Sequence, residues 1–95
     1  MSVSETLPPS SRPRIRKGFR LQWECAQSAH VLLYPEGMVK LNASAGEILS
    51  RCSGELTVAQ IVSDLERAFS REGLAGDVEQ FIVFALERGW IEAHA

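Results

Sequence analysis

The stretch MVKLNASAGEILSRCSGELT, Met38 to Thr57, is where the chain changes its period. Val39 and Leu41 alternate with Met38 and Lys40, the two-residue repeat of a strand. After Asn42 the apolar positions recur every three or four residues, the repeat of a helix. Working backwards, Phe19, Leu21, Trp23 and Cys25 alternate with Arg20, Gln22 and Glu24, which predicts a strand with one buried face. Ala26-Gln27-Ser28 is a connection of hairpin length. The run from Ala29 to Tyr34 is apolar on both faces and predicts a strand that is central in its sheet or covered twice. Pro35-Glu36-Gly37 is a turn, since Pro presets one corner and Gly accepts the other. Met38–Leu41 then returns antiparallel as a sheet edge.

Working forwards, three helices announce their starts. Ser44 with Glu47 and Thr57 with Gln60 fit the capping box, Leu56 and Ile61 are spaced as a hydrophobic staple, and Asp77 with Gln80 is a third start signal. Val58, Ile61, Val62, Leu65 and Phe69 form one apolar stripe on the second helix. Gly73 and Gly76 punctuate the loop that follows. The third helix is predicted to end at Gly89, with Trp90 and Ile91 folding back on the bundle. Its core stripe is Val78, Phe81, Ile82, Ala85 and Leu86; Phe84 lies off that stripe, with Arg88 between Phe81 and Phe84 in angle. So wide an apolar arc needs a second cover, from this chain, a second copy or a ligand. The fold class is α+β, a three-stranded antiparallel β-sheet followed by a three-helix bundle.

The 95 residues allow one domain. A chain this short buries only about 60–65% of its unfolded surface, so a surface groove is a better expectation than a deep cleft. Residues 1–18 carry Pro8, Pro9 and Pro13 among serines, and with little to bury they read as a disordered tail ahead of a domain at 19–95. The tail is basic: Arg12, Arg14, Arg16 and Lys17 stand against Glu5 alone, whereas Gly18 onward has six Lys/Arg and eleven Asp/Glu, a net −5. No apolar run approaches the ~20 residues of a membrane span. The N-terminus lacks a secretory apolar region, which makes the cytoplasm the expected compartment and free thiols the expected state of Cys25 and Cys52.

Chemistry is sparse. Cys52 and His30 have no spacing that links them as nucleophile and base, and two cysteines with His30 and His94 make no metal pattern. No phosphate loop follows a strand, and the carboxylates sit on helix starts and solvent faces. No catalytic residue, metal site or cofactor is expected. Two binding readings remain. Short strands with a helix–loop–helix can build a winged helix that reads nucleic acid, but both later helices carry more acids than bases. The other is a peptide added to the open edge at Met38–Leu41, with Phe81, Phe84 and Arg88 supplying pockets.

The set Leu41-Asn42, Ala45, Ile48-Leu49, Cys52-Ser53-Gly54, Thr57-Val58 and Ile61-Val62 resembles the PqqD family of pyrroloquinoline quinone (PQQ) biosynthesis. Arg12-Pro13-Arg14, Arg20-Leu21, the run Leu32 to Gly37, Asp77-Val78, Phe81 and Gly89-Trp90-Ile91 extend the resemblance over Arg12 to Glu92. Ser53 departs from the family's usual Asp, and its hydroxyl can make a similar local turn bond. The resemblance implies a winged-helix-like peptide chaperone that is not an enzyme. It would hold the precursor peptide PqqA and present it to the radical S-adenosylmethionine enzyme PqqE. By position it points to Met38, Val39, Lys40 and Leu41 on the edge strand, with Phe81, Phe84, Ala85 and Arg88 opposite. The open edge also suits a homodimer, in which strands pair or exchange between two copies.

Overall fold

The computed structural model describes residues 7–94. Strands β1 (Arg12–Ile15), β2 (Arg20–Glu24), β3 (Ala29–Tyr34) and β4 (Gly37–Lys40) precede helices α1 (Ala43–Leu49), α2 (Val58–Ala68) and α3 (Ala75–Glu87), and strand β5 (Ile91–His94) closes the order. The predicted meander forms as β2-β3-β4, all antiparallel. β3 is its centre, which accounts for apolar residues on both of its faces. Leu32, between Leu21 and Val39 in the ladder, faces the helices, while Val31 is fully buried between Gln22 and Lys40 on the other face.

One core joins the layers. Leu32, Leu41, Ile48, Leu49, Ile61, Leu65, Val78, Ile82 and Ile91 are all buried in it. Along β2 only the near end of the expected apolar face is covered. Phe19 and Leu21 pack against the core, whereas Trp23 is 52% exposed and Cys25 is exposed. Trp23 makes an edge-on ring contact with His30 at 5.0 Å.

The helix starts differ from expectation at two of three places. Thr57 and Gln60 do form the reciprocal capping box. At α1, however, Asn42 rather than Ser44 is the cap, its side chain accepting from the Ala45 N–H at 2.8 Å. α3 starts at Ala75, so Gly76 is helical and Asp77 sits in the first turn; the Leu74 N–H is taken by Glu66 of α2 at 3.1 Å. The end of α3 is as expected. Gly89 adopts φ 77°, and the N–H groups of Gly89 and Trp90 reach back to Leu86 and Ala85, both at 3.0 Å, a Schellman closure. Phe69 corrects the α2 stripe: as the C-cap residue it has left the buried face and is 48% exposed.

The largest correction concerns the tail. From Leu7 onward it is folded; residues 1–6 lie outside the described residues. β1 pairs antiparallel with β5 in a second, two-stranded sheet. Its other edge meets the loop after α1, where the Ile15 N–H donates to the Cys52 carbonyl at 3.2 Å and the Gly54 N–H to the Pro13 carbonyl at 3.0 Å. Upstream, the first two donors of α2 are also satisfied by this segment: Val58 N–H to the Ser11 carbonyl, 2.9 Å, and Ala59 N–H to the Pro9 carbonyl, 3.1 Å. Leu7 is 1% exposed within the main core, and Pro13 is fully buried. Proline lacks a donor but keeps its acceptor, and here Pro8, Pro9 and Pro13 each accept a backbone hydrogen bond. Reading those prolines only as missing donors is what made the segment look disordered.

Candidate functional site

β4 is the outer strand of its sheet, and no strand pairs with its far edge among the described residues. The pairing pattern identifies the groups that face outward. Leu41 N–H donates to the His30 carbonyl at 3.1 Å, and Lys40 stands opposite Val31 in the same register. Hydrogen-bonded and non-hydrogen-bonded pairs alternate along an antiparallel ladder. Val39 therefore bonds inward to Leu32, while Met38 and Lys40 turn their N–H and C=O groups to the open edge. Their side chains lie on the solvent face, with Met38 50% exposed. Val39 packs on the core beneath.

Leu41 is placed differently. It follows the end of β4, is buried, and spends its N–H on β3. It shapes the floor of the site and offers no edge group.

On α3, three of the expected residues gather with a fourth. Phe81 and Phe84 rings are 6.1 Å apart, the Phe84 ring meets Trp90 edge-on at 5.5 Å, and the Arg88 guanidinium lies 4.8 Å above Phe84. Such cation–π contact adds about 0.5–1 kcal/mol at exposed positions. Trp90 and Arg88 are thus part of the second cover that the wide apolar arc demanded, and Phe84 remains 39% exposed beside them. Ala85 is 0% exposed and belongs to the core. Among the described residues no hydrogen bond, ion pair or ring contact joins the edge-strand group to the α3 aromatic group. Trp90 is the member that sequence reading did not name as a site residue. Its position one residue after the Gly89 cap was the available signal, because a Schellman turn folds the next side chain back on the helix.

A groove of about 470 Å³ lies between α1, the end of α2 and the start of α3. Ala43, Ile48, Leu65, Phe69, Leu74 and Val78 give it an apolar lining, and Glu47, Arg71 and Asp77 give it charged walls. No residue of β4 and none of Phe81, Phe84, Arg88 and Trp90 lines it.

The two thiols lie elsewhere, Cys25 exposed and Cys52 quenched. Cys52 is buried, its sulfur 3.4 Å from the Ile48 carbonyl, and burial pushes its thiol up to about 12. Ser53, the departure noted in the turn, accepts a hydrogen bond from the Glu55 N–H at 3.3 Å, so the serine does make the local turn bond. Arg51 joins α1 to α2 through Glu47 at 2.9 Å and Asp64 at 2.6 Å. The Arg51 hydrogen bond holds the Asp64 carboxyl below its usual range. Among the described residues no group of three His, Cys, Asp or Glu could hold a metal ion, and no helix is long and apolar enough to cross a membrane.

Comparison with known proteins gives a consistent result. The family described as Coenzyme PQQ synthesis protein D (PqqD) matches residues 29–91. A "PqqA binding protein" of Azotobacter vinelandii is 53% identical over 83 residues, covering 86% of this chain and 90% of that protein. One from Methylococcus capsulatus is 41% identical over 86 residues, covering 90% and 92%. The solution NMR structure of the PqqD part of Methylobacterium extorquens PqqCD superposes with a TM-score of 0.66 at 27% identity, covering 84% of this chain and 87% of that one. That protein is described as a functional, stand-alone recognition element for ribosomally synthesized and post-translationally modified peptides.

Proposed function

The chain belongs to the PqqD family, and on that premise we propose that it is a non-catalytic, cytoplasmic peptide chaperone of PQQ biosynthesis. It binds the precursor peptide PqqA by strand addition and presents it to the radical S-adenosylmethionine enzyme PqqE. The observation that carries the strand-addition reading is the open edge of β4, where Met38 and Lys40 turn their backbone groups outward. An added strand completes those groups with little demand on peptide sequence, while side-chain pockets fix its register. Phe81, Phe84 and Arg88, together with the groove at Ile48 and Val78, supply such pockets in this reading. Val39, Leu41 and Ala85 act from below, as the packed floor that holds strand and helix in place.

We read the fold as winged-helix-like, with the β3–β4 hairpin in the place of the wing. A second copy pairing on the same edge would compete with the peptide, so a homodimer formed there would be the non-binding state.

The test is an amide NMR titration with a synthetic PqqA peptide, run on the natural chain and on two proline variants. Lys40→Pro removes an outward N–H from an edge strand, where proline is tolerated. It should weaken binding and leave the fold intact. Val39→Pro removes an inward ladder bond and should destabilise the sheet itself. Shifts centred on Met38–Lys40 and Phe81–Arg88, lost in Lys40→Pro, are the expected result. Undiminished binding by a folded Lys40→Pro protein would mean that the peptide lies elsewhere.

A further inference from the structure

The β1–β5 ribbon has two unlike faces. Pro13 and Ile15 point inward, whereas Arg12, Arg14 and Arg16 alternate outward and are exposed. Arg14 binds Glu92 across the ribbon with two hydrogen bonds, 2.9 and 3.1 Å, and Arg16 approaches the same carboxylate at 4.0 Å. Arg16 also donates its backbone N–H to the Trp90 carbonyl at 3.0 Å, and its guanidinium reaches the surface over Gly89. Lys17 follows Arg16 and is exposed as well. Arg14 and Arg16 thus share the carboxylate of Glu92 on the outer face of the ribbon, in a chain that carries −5 from Gly18 onward. A disordered tail would spread those charges; the β1–β5 pairing fixes Arg12, Arg14 and Arg16 on one face.

The carboxylates of α2 are less available to a partner. Asp64 is tied to Arg51 and approached by Arg67, and Glu66 caps the Leu74 N–H. Glu72, in the loop after α2, makes none of these contacts. We propose that the outer face of the β1–β5 ribbon is the docking surface for an acidic patch on a second protein, the enzyme that acts on the bound peptide. This rests on the presentation reading above. Arg is among the residue types enriched at protein interfaces, and complementary charge speeds and orients encounter more than it adds affinity. The ribbon is a sheet separate from β2-β3-β4, so its outer face is not the β4 edge that the peptide takes.

The test uses Arg12→Gln/Arg16→Gln/Lys17→Gln, which keeps the Arg16 backbone bond and leaves Arg88 untouched. Binding of the enzyme is measured at about 50 mM and about 300 mM salt, where screening lengths differ about 2.5-fold. The triple variant should bind the enzyme roughly tenfold more weakly at low salt, with a flatter salt dependence and unchanged PqqA binding. Asp64→Asn/Glu72→Gln should leave enzyme binding unchanged. Equal enzyme affinity in the triple variant overturns the inference and leaves peptide recognition standing. If the natural chain binds duplex DNA and the triple variant loses that while keeping the enzyme, the face is a phosphate reader and the inference is wrong. If the natural chain binds PqqA but not the enzyme, presentation falls, and the docking face falls with it.

Discussion

Leu7 offers the sharpest test of the folded N-terminal segment. Its side chain is 1% exposed and lies in the same core as Leu32, Ile61 and Ile82. Truncating a buried leucine to alanine costs about 2–5 kcal/mol when the surroundings stay in place. There is a ceiling, however. If the strap from Leu7 to Ser11 can undock alone, the loss cannot exceed the free energy that holds it down. That strap contributes two carbonyls to the start of α2 and one leucine to the core, against an ordering cost of about 1–2 kcal/mol per residue. We therefore expect Leu7→Ala to cost about 2 kcal/mol, near the lower bound. For a domain of this size that is a fall in Tm of roughly 8–16 °C. Urea unfolding measures the first quantity, and amide exchange locates it. Exchange at Val58 and Ala59 should accelerate, because their acceptors are Ser11 and Pro9. Ser10→Ala, at an exposed position of the same strap, should change stability by less than about 0.5 kcal/mol. A Leu7→Ala protein as stable as the natural one, with unchanged exchange at Val58 and Ala59, would refute the docking.

Two glycine-to-alanine changes should have opposite signs by the same assay. At Gly76 an added Cβ meets nothing within 4 Å, so Gly76→Ala should stabilise by about 0.5–1 kcal/mol through helix propensity. At Gly46 it would come within 2.5 Å of His30 Nδ1, so Gly46→Ala should destabilise by about 1–3 kcal/mol despite the better propensity. Iodoacetamide at pH near 8 should modify Cys25 in the folded protein and reach Cys52 only on unfolding; simultaneous labelling of both would contradict the burial of Cys52. Asp64, lowered from its ordinary 3.8 by the Arg51 hydrogen bond, stabilises fully above that value and ceases to do so as pH falls through the lowered one. Asp64→Asn should remove that segment of the acid unfolding curve, and an unchanged curve would show that the pair contributes nothing.

Local pattern was sufficient for much of this molecule. The alternation of Phe19–Cys25 and Met38–Leu41, the turn at Pro35-Glu36, the Thr57–Gln60 box and the Gly89 closure are all written in neighbouring residues, since strand and helix periods and caps depend on spacings of two to five. The open edge at β4 and the excess apolar arc of α3 were legible for the same reason. What the sequence could not supply were acceptors and covers from distant parts of the chain. Ser11 and Pro9 satisfy a helix more than forty residues away, and Trp90 partly covers Phe84 from beyond the Gly89 turn. Leu41 and Ala85 become floor rather than contact because burial is decided by what packs above them. Which of Val39 and Lys40 faces outward depends on the phase of the ladder, a property of the strand pair and not of either strand. A proline-rich, arginine-rich segment has too little apolar surface to fold by itself, and only the tertiary structure provides the donors and the core site that hold it.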